Sequence, residues 1–124
     1  MSNSEYTILV VDDNQMNVDM LSRRLQRDDY KVIEAFNGRE AVQCLQDNSV
    51  DLVLLDVMMP VMDGLGVLGV MQGEDELQDI PVIMVTAKNE RDCIDRCLEW
   101  GAVDYIIKPI NMVKLRASIQ TYLK

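Results

Sequence analysis

Four apolar runs in this chain end in residues able to do chemistry. Asp12-Asp13 follow Ile8-Leu9-Val10-Val11, Asp56 follows Leu52-Val53-Leu54-Leu55, Thr86 follows Val82-Ile83-Met84-Val85, and Lys108-Pro109 follows the run from Val103 to Ile107. A single aspartate at such a junction is explained equally well by capping of the next helix. Three that meet at one edge are not. Two carboxylates about 4 Å apart repel by about 4 kcal/mol at an effective dielectric near 20, so a fold that gathers them needs a cation there. Two cations are available: a hard divalent ion held by oxygen ligands, and the ammonium of Lys108. With both present the formal charges cancel, −3 from the aspartates against +2 and +1. Magnesium suits the site because it accepts one or two carboxylates, keeps waters, and leaves positions for phosphate oxygens.

The elements that must position these residues read as alternating strands and helices. The four apolar runs are continuous rather than alternating, as in strands of a parallel sheet buried on both faces. Lys31-Val32-Ile33-Glu34-Ala35 alternates polar with apolar and suits an edge strand. Helical stripes lie between the strands: Met20, Leu21 and Leu25; Ala41, Val42 and Leu45; Ile94, Cys97 and Leu98; Leu115, Ile119, Tyr122 and Leu123. The segment from Leu65 to Gln72 is the poorest helix, since Gly66 and Gly69 each cost about 1 kcal/mol relative to alanine. It should be short or mobile. Five strand–helix units with crossover helices impose parallel strands and right-handed connections, giving a doubly wound α/β domain. In such sheets ligands bind beyond the carboxyl ends of the strands, where the acids fall.

Composition narrows the chemistry. The 124 residues make one domain, with roughly two thirds of the unfolded surface buried. Twenty-one acidic against twelve basic residues leave a net charge of −9, which disfavours direct nucleic-acid binding. The absence of histidine excludes Ser-His-Asp and Cys-His catalysis and any phosphohistidine of the chain's own. Cys44, Cys93 and Cys97 form no CxxC pair and read as buried reduced thiols. No signal peptide opens the chain and no apolar stretch reaches the roughly 18 residues of a membrane span, so a cytoplasmic protein without membrane contact is expected. Gly64-Leu65-Gly66-Val67-Leu68-Gly69 matches GxGxxG literally, but seven residues separate it from Asp56, and the first strand–helix turn carries acids that would repel a pyrophosphate. Met58, Met59 and Met62 read as packing under a loop rather than as a soft-metal site.

Taken in order, Asp12-Asp13, Asp56-Val57-Met58-Met59-Pro60-Val61-Met62-Asp63-Gly64, Thr86-Ala87, Tyr105 and Lys108-Pro109 closely resemble the receiver domain of two-component response regulators. The resemblance spans residues 6–124 and implies a single receiver domain over 1–124. Its fold would be flavodoxin-like, a five-stranded parallel sheet of order 2-1-3-4-5 with five helices. It implies that Asp56 is the phosphorylation site, taking its phosphoryl group from a sensor histidine kinase or a histidine phosphotransfer protein. Asp13 would be a direct Mg²⁺ ligand, Asp12 would act beside it or through water, and Asp56 and the backbone carbonyl of Met58 would complete the protein's share. Lys108, before a cis Pro109, would hold the Asp56 carboxylate and later a phosphoryl oxygen. Thr86 and Tyr105 would form the switch pair, and Met58 and Lys88 would lie where acyl-phosphate lifetime is set. Output would pass through the surface of about residues 90–123, which carries Arg91, Arg96, Trp100, Lys114 and Arg116, to a downstream effector. Trp100 itself reads more readily as the edge of the core. Homodimerisation on activation stays open. The implied class is a phosphorelay switch rather than an enzyme, limited to self-phosphotransfer and slow autodephosphorylation.

Three other functions fit less well. A phosphatase of the haloacid dehalogenase type needs a DxD pair on the first strand and a cap over its substrate. A flavodoxin-like electron carrier wants hydroxyl-rich phosphate turns and stacking aromatics, and this chain has one Trp and one Phe. A receiver that only binds partners would not need Asp56, Thr86 and Lys108 together.

Overall fold

The computed structural model describes residues 5–57, 59, 62–87 and 91–123, with nothing said of the Arg91 side chain. Ten elements alternate along the chain: β1 (Thr7–Val11), α1 (Gln15–Arg27), β2 (Lys31–Ala35), α2 (Gly38–Asp47), β3 (Leu52–Asp56), α3 (Gly64–Gln72), β4 (Val82–Thr86), α4 (Arg91–Glu99), β5 (Asp104–Ile107) and α5 (Met112–Tyr122). The strands form one parallel sheet in the order β2-β1-β3-β4-β5, as expected. Register decides what stands level with what. Val11 pairs with Leu55, so the next residues, Asp12 and Asp56, end adjacent strands at the same height.

Both faces of the sheet are covered, which explains the continuous apolar runs. On one face Leu9, Val11, Val53, Leu55 and Met84 pack under α2, α3 and α4 through Ala41, Leu45, Val67, Leu68, Met71 and Cys97. On the other, Ile8, Val10, Leu52, Leu54, Ile83 and Val85 pack under α1 and α5 through Val18, Leu21, Leu25, Leu115 and Ile119. β2 and β5 are the edges. β2 exposes Lys31 and Glu34. At β5 the Asp104 carboxylate accepts from the Tyr105 N–H at 2.8 Å and from Ser118 Oγ at 2.7 Å, while Tyr122 Oη donates to the Val103 carbonyl at 3.1 Å. An ion pair at 2.8 Å between Arg116 and Asp28 ties α5 to the end of α1.

Several side chains depart from expectation. The buried stripe of α1 is Val18, Leu21 and Leu25, with Met20 turned out to solvent; in the expected stripe Val18 takes its place, one turn before Leu21. Leu98 and Tyr122 are exposed, because each stands at the rim of its stripe in the last turn of its helix. Val103 precedes β5 rather than opening it and is exposed. Trp100 is 55% exposed, not part of the core edge, since it lies just past the last residue of α4, in the turn that leads to β5. Of the three free thiols only Cys97 is buried; Cys44 and Cys93 are half-buried.

α3 forms over nine residues despite its glycines. Asp63 caps it by accepting from the Gly66 N–H at 2.9 Å. A methyl group at Gly64 would stand 2.9 Å from the carbonyl oxygen of Asp56, so only glycine lets this helix start against the end of β3. At Gly69 no such need exists, for a methyl there would meet only Trp100, at an ordinary 3.6 Å.

Candidate functional site

The acids after β1 are not helix caps. Asn14 caps α1, its Oδ1 accepting from the Asn17 N–H at 3.1 Å. Asp12 is left to continue the strand for one residue, its N–H donating to the Ala35 carbonyl of β2 at 3.2 Å. Its side chain is buried, 3% exposed, while that of Asp13 is exposed. Asp56, the last residue of β3, is 6% exposed. One carboxylate oxygen from each of Asp12, Asp13 and Asp56 falls within 4.8 Å of the others. The three acids therefore meet, as their strand-end positions predict.

Lys108 reaches the cluster from the residue after β5. Its backbone N–H donates to the carbonyl of Thr86 at 2.8 Å, and its bond to Pro109 is cis. Its ammonium lies 3.0 Å from Asp12 Oδ2 and 3.3 Å from Asp56 Oδ2. Burial works against the charged amine, but hydrogen bonding to Asp12 and the charges of Asp56 and Asp12 outweigh it and raise the amine above its usual range. The lysine is thus shared between two acids rather than held by Asp56 alone.

Thr86 is fully buried at the end of β4, whose neighbour in the sheet is β3. Tyr105 is half-buried on β5, packed against the core cluster under α2, α3 and α4. Met58 and Lys88 lie outside the described residues. Two participants were not foreseen. The N–H of Asn14 donates to Asp12 Oδ1 at 2.9 Å, and the side-chain amide of Asn17 donates to Asp12 Oδ2 at 3.3 Å. Their signal in the sequence is a cap residue and a polar residue three positions on, directly after the acid pair.

The donor set fits a magnesium ion. All three side chains offer hard oxygens, and an octahedral ion about 2.1 Å from each ligand spans about 4.2 Å between opposite oxygens, close to the spread of the cluster. The exposure of Asp13 leaves one side open to water and to an anionic ligand.

Residues 8–120 match the family described as the response regulator receiver domain. Response regulator GtcR of Aneurinibacillus migulanus is 36% identical over 118 residues, covering 95% of this chain and 48% of that protein. The polar-differentiation response regulator DivK of Brucella anthropi is 32% identical over 117 residues, covering 94% of this chain and 95% of that protein. Among solved structures, the signal receiver domain of a signal transduction histidine kinase from Syntrophus aciditrophicus superposes with a TM-score of 0.87 at 36% identity, covering 95% of this chain and 89% of that one. The chain thus spans about half the length of GtcR and nearly all of DivK. Among the described residues no helix is long and apolar enough to cross a membrane.

Proposed function

The chain belongs to the response regulator receiver domain family, and from that premise we propose that it is a phosphoacceptor switch centred on Asp56. A carboxylate oxygen of Asp56 attacks the phosphorus of a phosphohistidine on a sensor kinase or phosphotransfer protein. The P–N bond breaks as the acyl phosphate P–O bond forms, and the imidazole nitrogen leaves to be protonated by solvent. Magnesium, when bound, neutralises oxygen charge on the incoming phosphoryl group. Asp12, Asp13, Asp56 and the carbonyl of Met58 would hold it. Lys108 follows the new charge, Thr86 donates its hydroxyl to a phosphoryl oxygen, and Tyr105 turns into the space so vacated. The resulting change at α4, β5 and α5 is read by an effector, with a homodimer of the activated form as one outcome. The work is signalling in the cytoplasm, without catalytic turnover on other molecules beyond slow loss of the chain's own phosphate, and without direct contact with nucleic acid or membrane.

One observation supports this above the others: a buried Asp56 shares Lys108 with Asp12 inside a three-carboxylate cluster. A phosphatase would need its nucleophile on the first strand, and here Asp56 stands on β3. The test is intact-mass measurement after exposure to acetyl phosphate. One added phosphate is expected with Mg²⁺, none in its absence, and none in Asp56→Asn. Uptake without metal, or in that variant, overturns the mechanism.

A further inference from the structure

The first turn of α1 is wired into the acid cluster. With Asn14 as cap, Asn17 occupies the third helical position, from which a Glu or Gln commonly reaches back to the N–H of the cap residue. Here Asp12 Oδ1 takes that N–H, at 2.9 Å, and the half-buried Asn17 turns its amide to Asp12 Oδ2, at 3.3 Å. The same Oδ2 accepts from Lys108 at 3.0 Å, and Lys108 also reaches Asp56 at 3.3 Å. A single oxygen therefore has two donors. One is a cation on a long side chain whose other partner is Asp56; the other is a neutral amide fixed on a helix.

We propose that Asn17 is a positioning residue whose amide keeps Asp12 oriented for the metal when Lys108 is drawn towards a phosphoryl group on Asp56. This rests on the phosphoacceptor reading of Asp56. A dianionic phosphoryl group attracts the ammonium more strongly than a carboxylate does, so Asp12 Oδ2 loses its charged donor in the phosphorylated state. A buried carboxylate oxygen without a partner is costly, and it would rotate to find one. The Asn17 amide prevents that without adding a positive charge that would compete with the ion. Groups that orient a metal ligand from outside its coordination sphere commonly change affinity 10–100-fold when removed.

The test is a magnesium titration followed by NMR of the backbone amides, without and with beryllofluoride as a mimic of the phosphoryl group. Asn17→Leu keeps the number and branching of side-chain heavy atoms and removes the donor. Its magnesium affinity should fall roughly tenfold with beryllofluoride present, and much less without it, where Lys108 still holds Asp12. Asn37→Ala, which removes the cap of α2 and its hydrogen bonds with Glu40, should lower the urea midpoint yet leave magnesium affinity as in the parent. An equal loss of affinity in both states, or no loss in either, overturns the proposal while the phosphoacceptor reading stands. If the parent protein binds no beryllofluoride with magnesium, that reading fails and takes the proposal with it.

Discussion

Lys108 makes its shorter ion pair with Asp12, at 3.0 Å, across 96 residues of sequence. The lysine therefore fastens the end of β5 to the end of β1 across the top of the sheet, passing over β3 and β4. Without a metal ion, this ammonium holds Asp12 and Asp56 together.

Lys108→Ala should consequently destabilise the free protein by about 2 kcal/mol, because buried carboxylates are left facing one another. Urea denaturation measures the loss. Magnesium should restore more stability to this variant than to the parent, since the ion replaces the missing charge. A variant as stable as the parent without magnesium would show that the acids are not held by the lysine.

Asp56→Asn replaces one charged carboxylate of the proposed magnesium site by a neutral amide and should reduce the rise in Tm produced by magnesium. In the parent, magnesium at about a hundred times its Kd should add about 2.7 kcal/mol by mass action. The same increment in both proteins would place the ion elsewhere.

Much of this arrangement was legible in the residues. Continuous Val/Ile/Leu runs gave strands covered on both faces, and the polar residues that stop them mark the carboxyl edge of the sheet. The crowding of Asp12, Asp13 and Asp56 followed once β1 and β3 were neighbours, and register does the rest. What the pattern could not supply was the sharing of Lys108 between two acids, or the capture of Asp12 by Asn14 and Asn17. These depend on side-chain directions at a helix start, where asparagine reads only as a cap. The exposure of Trp100 and Met20 was equally hidden, because apolar character does not say which rim of a helix meets the core.

The two kinds of glycine in α3 should respond oppositely to alanine. Gly69→Ala should stabilise by about 0.5–1 kcal/mol, through helix propensity alone, as its methyl meets Trp100 at 3.6 Å. Gly64→Ala should destabilise by about 1–3 kcal/mol by driving a methyl against the Asp56 carbonyl. Thermal unfolding of both variants decides it, and a loss at Gly69 would contradict the packing described.

Stability should decline above pH 9. Burial, with lesser contributions from Cys93 and Asp63, pushes the Cys97 thiol up to about 11. Between an unfolded value near 9 and that folded value, the unfolded thiol gives up its proton while the folded one keeps it, so rising pH favours unfolding. The raised amine of Lys108 acts with the same sign further up, above its ordinary 10.5. Urea midpoints measured from pH 8 to 11 should fall in the parent, and Cys97→Ala should flatten the lower part of the decline. At pH 8 the buried neutral thiol should also alkylate far more slowly than Cys93.

At the β5 margin, Asp104 and Tyr122 already occupy backbone groups that a foreign strand would otherwise use. Two main-chain groups of that border are taken by its own side chains, so a second molecule arriving there finds fewer hooks for lengthening the sheet. Any partner that docked at this border would have to be selected by shape and charge, with less help from main-chain pairing than a bare edge strand offers an extended peptide.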